Sequence, residues 1–472
     1  MNQRSNFTTQ ASDIPDSIRA QAVALAASAL DINDLKPFYT GAAGDFPYQW
    51  EVPKKAGFNP KTYYWISQNL APNCAPNYTF QPGSLFPNEY IKAMSAIQYV
   101  LSKTDAGTGE LQNEAKALID SFNDNFGTKY TNVNQVIDYI CDNWGPDGQK
   151  VTFEQLIHSQ DLEATLPNTP PSGSIVLNVL VQYIQAYVKV SNAQKYAEQE
   201  NDYLKDAIAG TRFPSQKNGG MQLLNQQWAP KYTVSQSVDD IIYGLKDDKS
   251  CISITVTIES KDKDTYGVQI QDLDPIIVHD LSFFDFSVGT VSDFLRSGLL
   301  SSTQKIQLTF TFSGLTLVQY EPMPFSMSIS EGWLLIPPIQ NALKNTGNDA
   351  LSSYRFITDP HLDFTNNGPF GFTNSVVISQ APSITVKLTS STAEALGNQI
   401  VGATNSLSFL GRTTPVAATP GTNRYCLAVD ASSSNLTVNF SPPVLPSDPD
   451  PNGDGTAWVL GARVSYPAAP AK

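Results

Sequence analysis

Histidine is nearly absent from this chain: His158, His279 and His361 are the only three among 472 residues. No two of them fall within a helical turn, so a two-histidine metal site would have to be assembled from distant segments. Cysteine is as scarce. Cys74, Cys141, Cys251 and Cys426 stand far apart, without the close spacing of zinc or redox motifs, and read as buried or free thiols. Basic charge is short as well, since 30 Lys and Arg against 44 Asp and Glu leave a formal net charge of −14. That balance opposes binding to a phosphate backbone, and no nucleic-acid partner is expected. No apolar run of about 18 or more residues occurs, which argues against a constitutive transmembrane helix and leaves membrane contact only to a rearranged state.

Catalytic signatures are missing too. The chain has no GxxxxGK followed by Ser or Thr, no GxGxxG after a strand, no HExxH and no GxSxG, and nucleotide hydrolysis, dinucleotide chemistry, zincin proteolysis and common esterase chemistry lose their usual support. The balance is against an enzyme. The first thirty residues lack a basic region leading into an apolar core, so no cleavable secretion signal is expected. The protein then resides in the cytoplasm or is released by a non-classical route, and the sequons at Asn6, Asn77 and Asn435 carry little weight.

What is present is a change of hydrophobic period. Up to about residue 245 the apolar residues recur mostly at helical spacing, and from about 250 they mostly alternate, so a boundary is expected at LKDDKS, 245–250. In the first half, 14–31, 87–103, 110–127 and 132–145 read as helices, the last two ending on glycines that suit a left-handed stop. SIVLNVLVQYIQAYVKV, 174–190, carries its polar residues Asn178, Gln182, Gln185 and Lys189 on one narrow stripe, the pattern of a buried central helix. The second half alternates. Ile252, Ile254, Val256 and Ile258 share one face of a strand, as do Ile306, Leu308, Phe310 and Phe312 in 305–320, and 383–389, 435–440 and 457–466 continue the pattern. Segment 332–345 is expected to hold one short helix. One apolar and one Ser/Thr/Asn face marks antiparallel sheet buried on a single side. The expected fold is α+β and multidomain: a helical bundle-like domain over 1–245 with an aromatic-rich irregular segment at 36–66, then an antiparallel β-sandwich-like domain over 250–472.

Chemistry-bearing residues are few. PSDPDPNGDG, 446–455, places Asp448, Asp450, Asn452 and Asp454 at alternate positions, a donor set suited to calcium if another loop adds oxygens. As an EF-hand it fails: the twelfth position from Asp448 is Val459. Asn452-Gly453 and Asp454-Gly455 are also turn dipeptides, so a solvated turn joining two strands of a β-hairpin is the competing reading. Trp458, Leu460, Ala462, Val464 and Tyr466 are expected on one face of the strand that follows. The aromatic segment offers Tyr48, Trp50, Tyr64 and Trp65 as ring surfaces for a glycan or a protein, or else as the core of a loop-rich segment. His279 beside Asp280 and His361 near Asp363 are candidate oriented bases, though such neighbours more often close a turn. Paired carboxylates for glycoside hydrolysis are set by spatial separation and cannot be read from sequence.

Three functional readings follow. The leading one is a non-catalytic binding or self-assembling protein that presents polar loops of its β domain to a glycan, protein or surface partner. The alternative is a membrane-active, pore-forming-type toxin that uses helix 174–190. The second alternative is a hydrolase without a recognisable motif. Oligomeric state leaves no mark in the sequence.

Overall fold

The computed structural model describes residues 14–37, 45–47, 72–73, 79–80, 86–222, 228–262, 264–345, 347–366, 368, 370–421, 423–445 and 456–468. Among these, 11 α-helices combine with a sheet of 10 strands, a 6-stranded sheet and three strand pairs, a mixed α+β protein. No helix among the described residues is long and apolar enough to cross a membrane.

The helices from 108 to 184 share one apolar cluster. Helix Thr108–Phe126 stops where Gly127 takes φ 63° and returns its N–H to Asn123, a left-handed stop that glycine adopts without strain. Helix Val133–Asn143 starts on a reciprocal cap between Asn132 and Gln135, and its end is Trp144 in a right-handed conformation rather than the glycine expected there. Leu118, Phe122, Ile140, Trp144 and Leu180 are buried together in this cluster.

Helix Ser174–Arg212 runs for 39 residues, about 58 Å at 1.5 Å per residue. Its first half keeps Asn178, Gln182, Gln185 and Lys189 exposed and Val176, Leu177, Leu180 and Tyr183 buried, as the polar stripe implied. Its second half leaves that cluster and enters another. Leu204 and Ala207 pack with Phe86, Tyr90 and Trp333, and a Cβ on Gly210 would lie 2.5 Å from the Gly332 carbonyl oxygen. The polar composition after residue 190 therefore reflects a helix exposed on most sides, not a helix end.

The ten-stranded sheet has the order Ile276–Val278, Thr265–Ile270, Cys251–Asp262, Lys305–Ser313, Ser383–Thr389, Asn435–Ser441, Tyr425–Ala431, Arg412–Ala417, Thr404–Phe409, Phe284–Val288. The expected alternation holds: Ile252, Ile254, Val256, Ile258, Ile306, Leu308, Phe310 and Phe312 are all buried. On the other face, hydroxyl and amide side chains pair across strands, as Ser253 with Thr311 at 2.8 Å and Thr385 with Asn439 at 2.9 Å. Phe310 and Phe409 lie five places apart in the strand order, about 24 Å across a flat sheet. Their ring centroids are 4.5 Å apart, and Phe286 meets Phe440 at 5.3 Å. The sheet doubles back on itself. Between the two portions, Val416 and Ala417 pair with Tyr425 and Cys426 in parallel, whereas the neighbouring ladders are antiparallel.

The six-stranded sheet follows Lys36–Pro37, Thr456–Ser465, Phe372–Ser379, Thr316–Pro322, Tyr232–Val234, with Asp45–Pro47 also on Thr456–Ser465. It separates two cores. Val377, Trp458 and Leu460 belong to the core of the ten-stranded sheet, while Val376, Ile378, Ala457 and Val459 belong to the core that the long helix enters. The strand at 457–466 was expected to place Ala462 with Trp458 and Leu460, and it does not. Val459 pairs with Ile378 and Gly461 with Val377, so the register shifts by one at Leu460, and this bulge turns Ala462 into the second core.

Other local expectations change for similar reasons. Residues 97–100 continue the helix at 86–95 as a strand on Ser353–Phe356, not as more helix. Segment 305–320 is two strands in different sheets, divided where Gly314 takes φ 71°. Asn435–Ser441 and Thr456–Ser465 likewise lie in different sheets, so the loop between them joins two sheets and does not close a hairpin. Helix Pro337–Asn345 supplies the short helix expected at 332–345. Core membership crosses the 245–250 boundary: helix Ile14–Ala29 buries Ile18, Ala22 and Ala26 in the core of the ten-stranded sheet.

Candidate functional site

Where the long helix leaves the helical cluster it runs past the strand at 97–100, and a cleft of about 630 Å³ opens between them. Helix Phe86–Ser95 ends at its edge. Met94, Ile97 and Leu204 form the floor and are fully or nearly buried, so the apolar bottom is fixed by the core beneath it. Gln98, Glu198, Asp202 and Lys205 form an exposed rim. The volume suits a ligand of several side chains or a small molecule.

One asparagine sets the geometry. Asn201 Oδ1 accepts from the Tyr99 backbone N–H at 2.9 Å, and its Nδ2 donates to the Tyr99 carbonyl at 3.1 Å and to Ala197 O at 2.8 Å. The side-chain amide satisfies both backbone groups of a strand edge that would otherwise be unpaired. Beside it, the Tyr354 hydroxyl donates to Glu200, and Tyr99 meets Tyr354 at 5.1 Å and Tyr196 at 5.4 Å, both edge to face. Burial first, then the Glu200 carboxylate, holds the Tyr354 phenol protonated far above its usual range. Tyr196 is pushed up chiefly by its own hydrogen bond to Glu200.

The rim is acidic. Lys205 Nζ lies 2.8 Å from Asp202, and its pKa is raised by that hydrogen bond first, then by the charges of Asp202, Asp206 and Glu198. Two carboxylates, Glu198 and Asp202, against one ammonium leave the rim net negative. Nothing in this constellation resembles a nucleophile with an oriented base.

A second perturbed group lies elsewhere. Asp285, in Phe284–Val288, accepts from the Leu295 N–H at 3.0 Å, where a π-turn over Leu295–Leu299 begins. Burial pushes its pKa up to about 6, against the pull of backbone N–H groups of Leu295, Phe286 and Phe294 and with a further push from Asp293. Asp293 itself is bound to Arg296 at 2.8 Å. Asp293 is near enough for its charge to act on Asp285, whose carboxylate accepts the Leu295 N–H at a helix start. Asp285 serves packing.

No protein-family model, curated protein or solved structure matches this chain. Function therefore has to be read from the residues. Asp448, Asp450, Asn452 and Asp454, the calcium candidates, and Tyr48, Trp50, Tyr64 and Trp65, the partner-binding candidates, lie outside the described residues. Neither histidine pair forms. His279 Nδ1 sits 3.0 Å from the Asp264 carbonyl while Asp280 accepts from Ser282, and His361 faces Asp359 at 3.3 Å while Asp363 accepts from Thr365. Among the described residues no three His, Cys, Asp or Glu side chains are grouped to hold a metal, and Cys141, Cys251 and Cys426 are free thiols. The cleft was not anticipated. Its residues come from segments about a hundred positions apart, and only the polar run of 195–206 on a helix gave a local sign of it.

Proposed function

We propose that the protein is a non-catalytic binding protein whose ligand seat is the cleft between residues 94–98 and 198–208. The observation that carries this reading is a cleft with an apolar floor fixed by the core under an exposed polar rim. Ligand sites are usually concave and largely preformed, with an apolar lining and a few polar groups. We further take the helices around Phe122 and Trp144 as bundle-like and the doubled-back ten-stranded sheet as sandwich-like, supported by their shared cores and by the Phe310 and Phe409 stacking. The long helix runs from the helical core into the core built around Phe86, Tyr90 and Trp333.

A panel of immobilised glycans, peptides and lipid vesicles, probed with the wild type and with Ser95→Trp, tests the reading. Ser95 is exposed at the cleft edge, so an indole there fills the seat without entering the core. Partner binding by the wild type that falls at least about tenfold in Ser95→Trp is expected, a loss of about 1.4 kcal/mol. A partner held equally by both, or turnover of a generic glycosidase or peptidase substrate, sinks it. The membrane-active alternative draws no support from the long helix, whose apolar first half is spent on the helical core; liposome dye release is its direct test.

A further inference from the structure

We infer that the cleft at 94–98 and 198–208 receives a basic segment of a partner protein, lysine or arginine side chains interspersed with aliphatic ones. This rests on the binding reading above and names the chemistry of the occupant. The floor is aliphatic, from Met94, Ile97 and Leu204, and can cover the methylene stem of a lysine or arginine while the head group reaches the rim. At the rim wait Glu198 and Asp202, and the nearby Lys205 is already bound to Asp202 at 2.8 Å. Asp206 lies close enough to add to the field at Lys205. An incoming cation would exchange with Lys205 for Asp202 or meet Glu198.

Three other occupants fit less well. A sugar wants a flat ring to stack on, and no aromatic side chain lines this cleft. An anionic ligand would meet two carboxylates. A second copy of the chain brings its own −14 charge, which repels at long range, whereas a basic partner is drawn in by the same field. The cleft is open to solvent, so it admits a chain segment passing through, where a small amine would be left poorly covered.

The test uses a fluorescein-labelled octapeptide alternating lysine and leucine, read by anisotropy against the full-length protein. Companion peptides replace every lysine by serine or by glutamate. Expected is saturable binding of the lysine peptide that falls about tenfold in Glu198→Gln/Asp202→Asn and at least tenfold from low to high salt, as exposed charge pairs do. Neutralising two exposed acids of the helical cluster, Asp147→Asn and Glu163→Gln, is expected to leave it within about twofold. In the wild type, the lysine peptide should slow hydrogen exchange in 97–100 and 198–208, which needs no variant to fold. Equal binding of the serine peptide overturns the inference of a cation and leaves the cleft as a seat. Lysine-peptide binding that survives both Ser95→Trp and Glu198→Gln/Asp202→Asn is attraction to the acidic surface at large, and overturns it. If no peptide binds while a partner from the panel is lost in Ser95→Trp, the cationic class is wrong and the seat is right. A panel partner unaffected by Ser95→Trp removes the seat itself.

Discussion

Asp285→Asn is expected to flatten the pH dependence of stability between pH 4 and 6. In the folded protein the Asp285 pKa is pushed up to about 6 by burial, and in the unfolded chain it returns to about 3.9. Between those values the native state holds a proton that the unfolded state has lost. Stability from this group is therefore complete below about pH 4, declines as pH rises towards 6, and is gone above it. A shift of about two units corresponds to about 3 kcal/mol at pH 7, an upper figure because the Asp285 carboxyl is only partly buried and solvent screens part of the effect. The asparagine retains an oxygen for the Leu295 N–H at 3.0 Å and has nothing to ionise. At pH 7 the variant should be more stable than the wild type by about 1–3 kcal/mol, the lower end applying if the lost charge-assisted bond is strong. At pH 4 the two should be close to equal. Urea unfolding at several pH values, followed in the transition of the unit that contains the ten-stranded sheet, gives the difference directly. A difference independent of pH, or one that favours the wild type more as pH rises, refutes the reasoning.

Two further outcomes follow from local geometry. Asn201→Ala removes the acceptor for Tyr99 N–H and the donor to Tyr99 O; a loss of about 1–3 kcal/mol is expected, and hydrogen exchange in 97–100 should rise about tenfold or more, while unchanged exchange there would show that the amide clamp is idle. Gly314→Ala introduces a Cβ 2.0 Å from the Leu245 carbonyl oxygen at a φ of 71°; the left-handed strain alone is worth about 1–3 kcal/mol, so a thermal midpoint unchanged from the wild type would contradict the observed turn between the two sheets.

How much of this was legible in the chain can be judged residue by residue. Ile252 to Ile258 and Ile306 to Phe312 were legible because a strand with one buried face needs alternate apolar residues, and nothing else in the fold can change that period. The stripe Asn178, Gln182, Gln185 and Lys189 was legible for the corresponding reason at helical spacing. The end of that helix was not. Past residue 190 the helix buries only Leu204, Ala207, Gly210 and Thr211, and so few buried positions look like a loop. Strand 97–100 was also hidden, since Ile97 and Tyr99 fit a helix as well as a strand until Ser353–Phe356 supplies the partner.

The sequence by itself determined which segments carry a buried face, the scarcity of histidine and cysteine, and an acidic balance that opposes binding to a phosphate backbone. These are properties of composition and of spacing within a few residues. Tertiary structure alone decided which core each face enters, as when the bulge at Leu460 turns Ala462 from one hydrophobic cluster to the other. It alone brought Gln98 to Glu198 and Asp202 across the cleft. A site made by two segments a hundred residues apart leaves no periodic trace in either, because neither segment needs the other's side chains to form its own local structure.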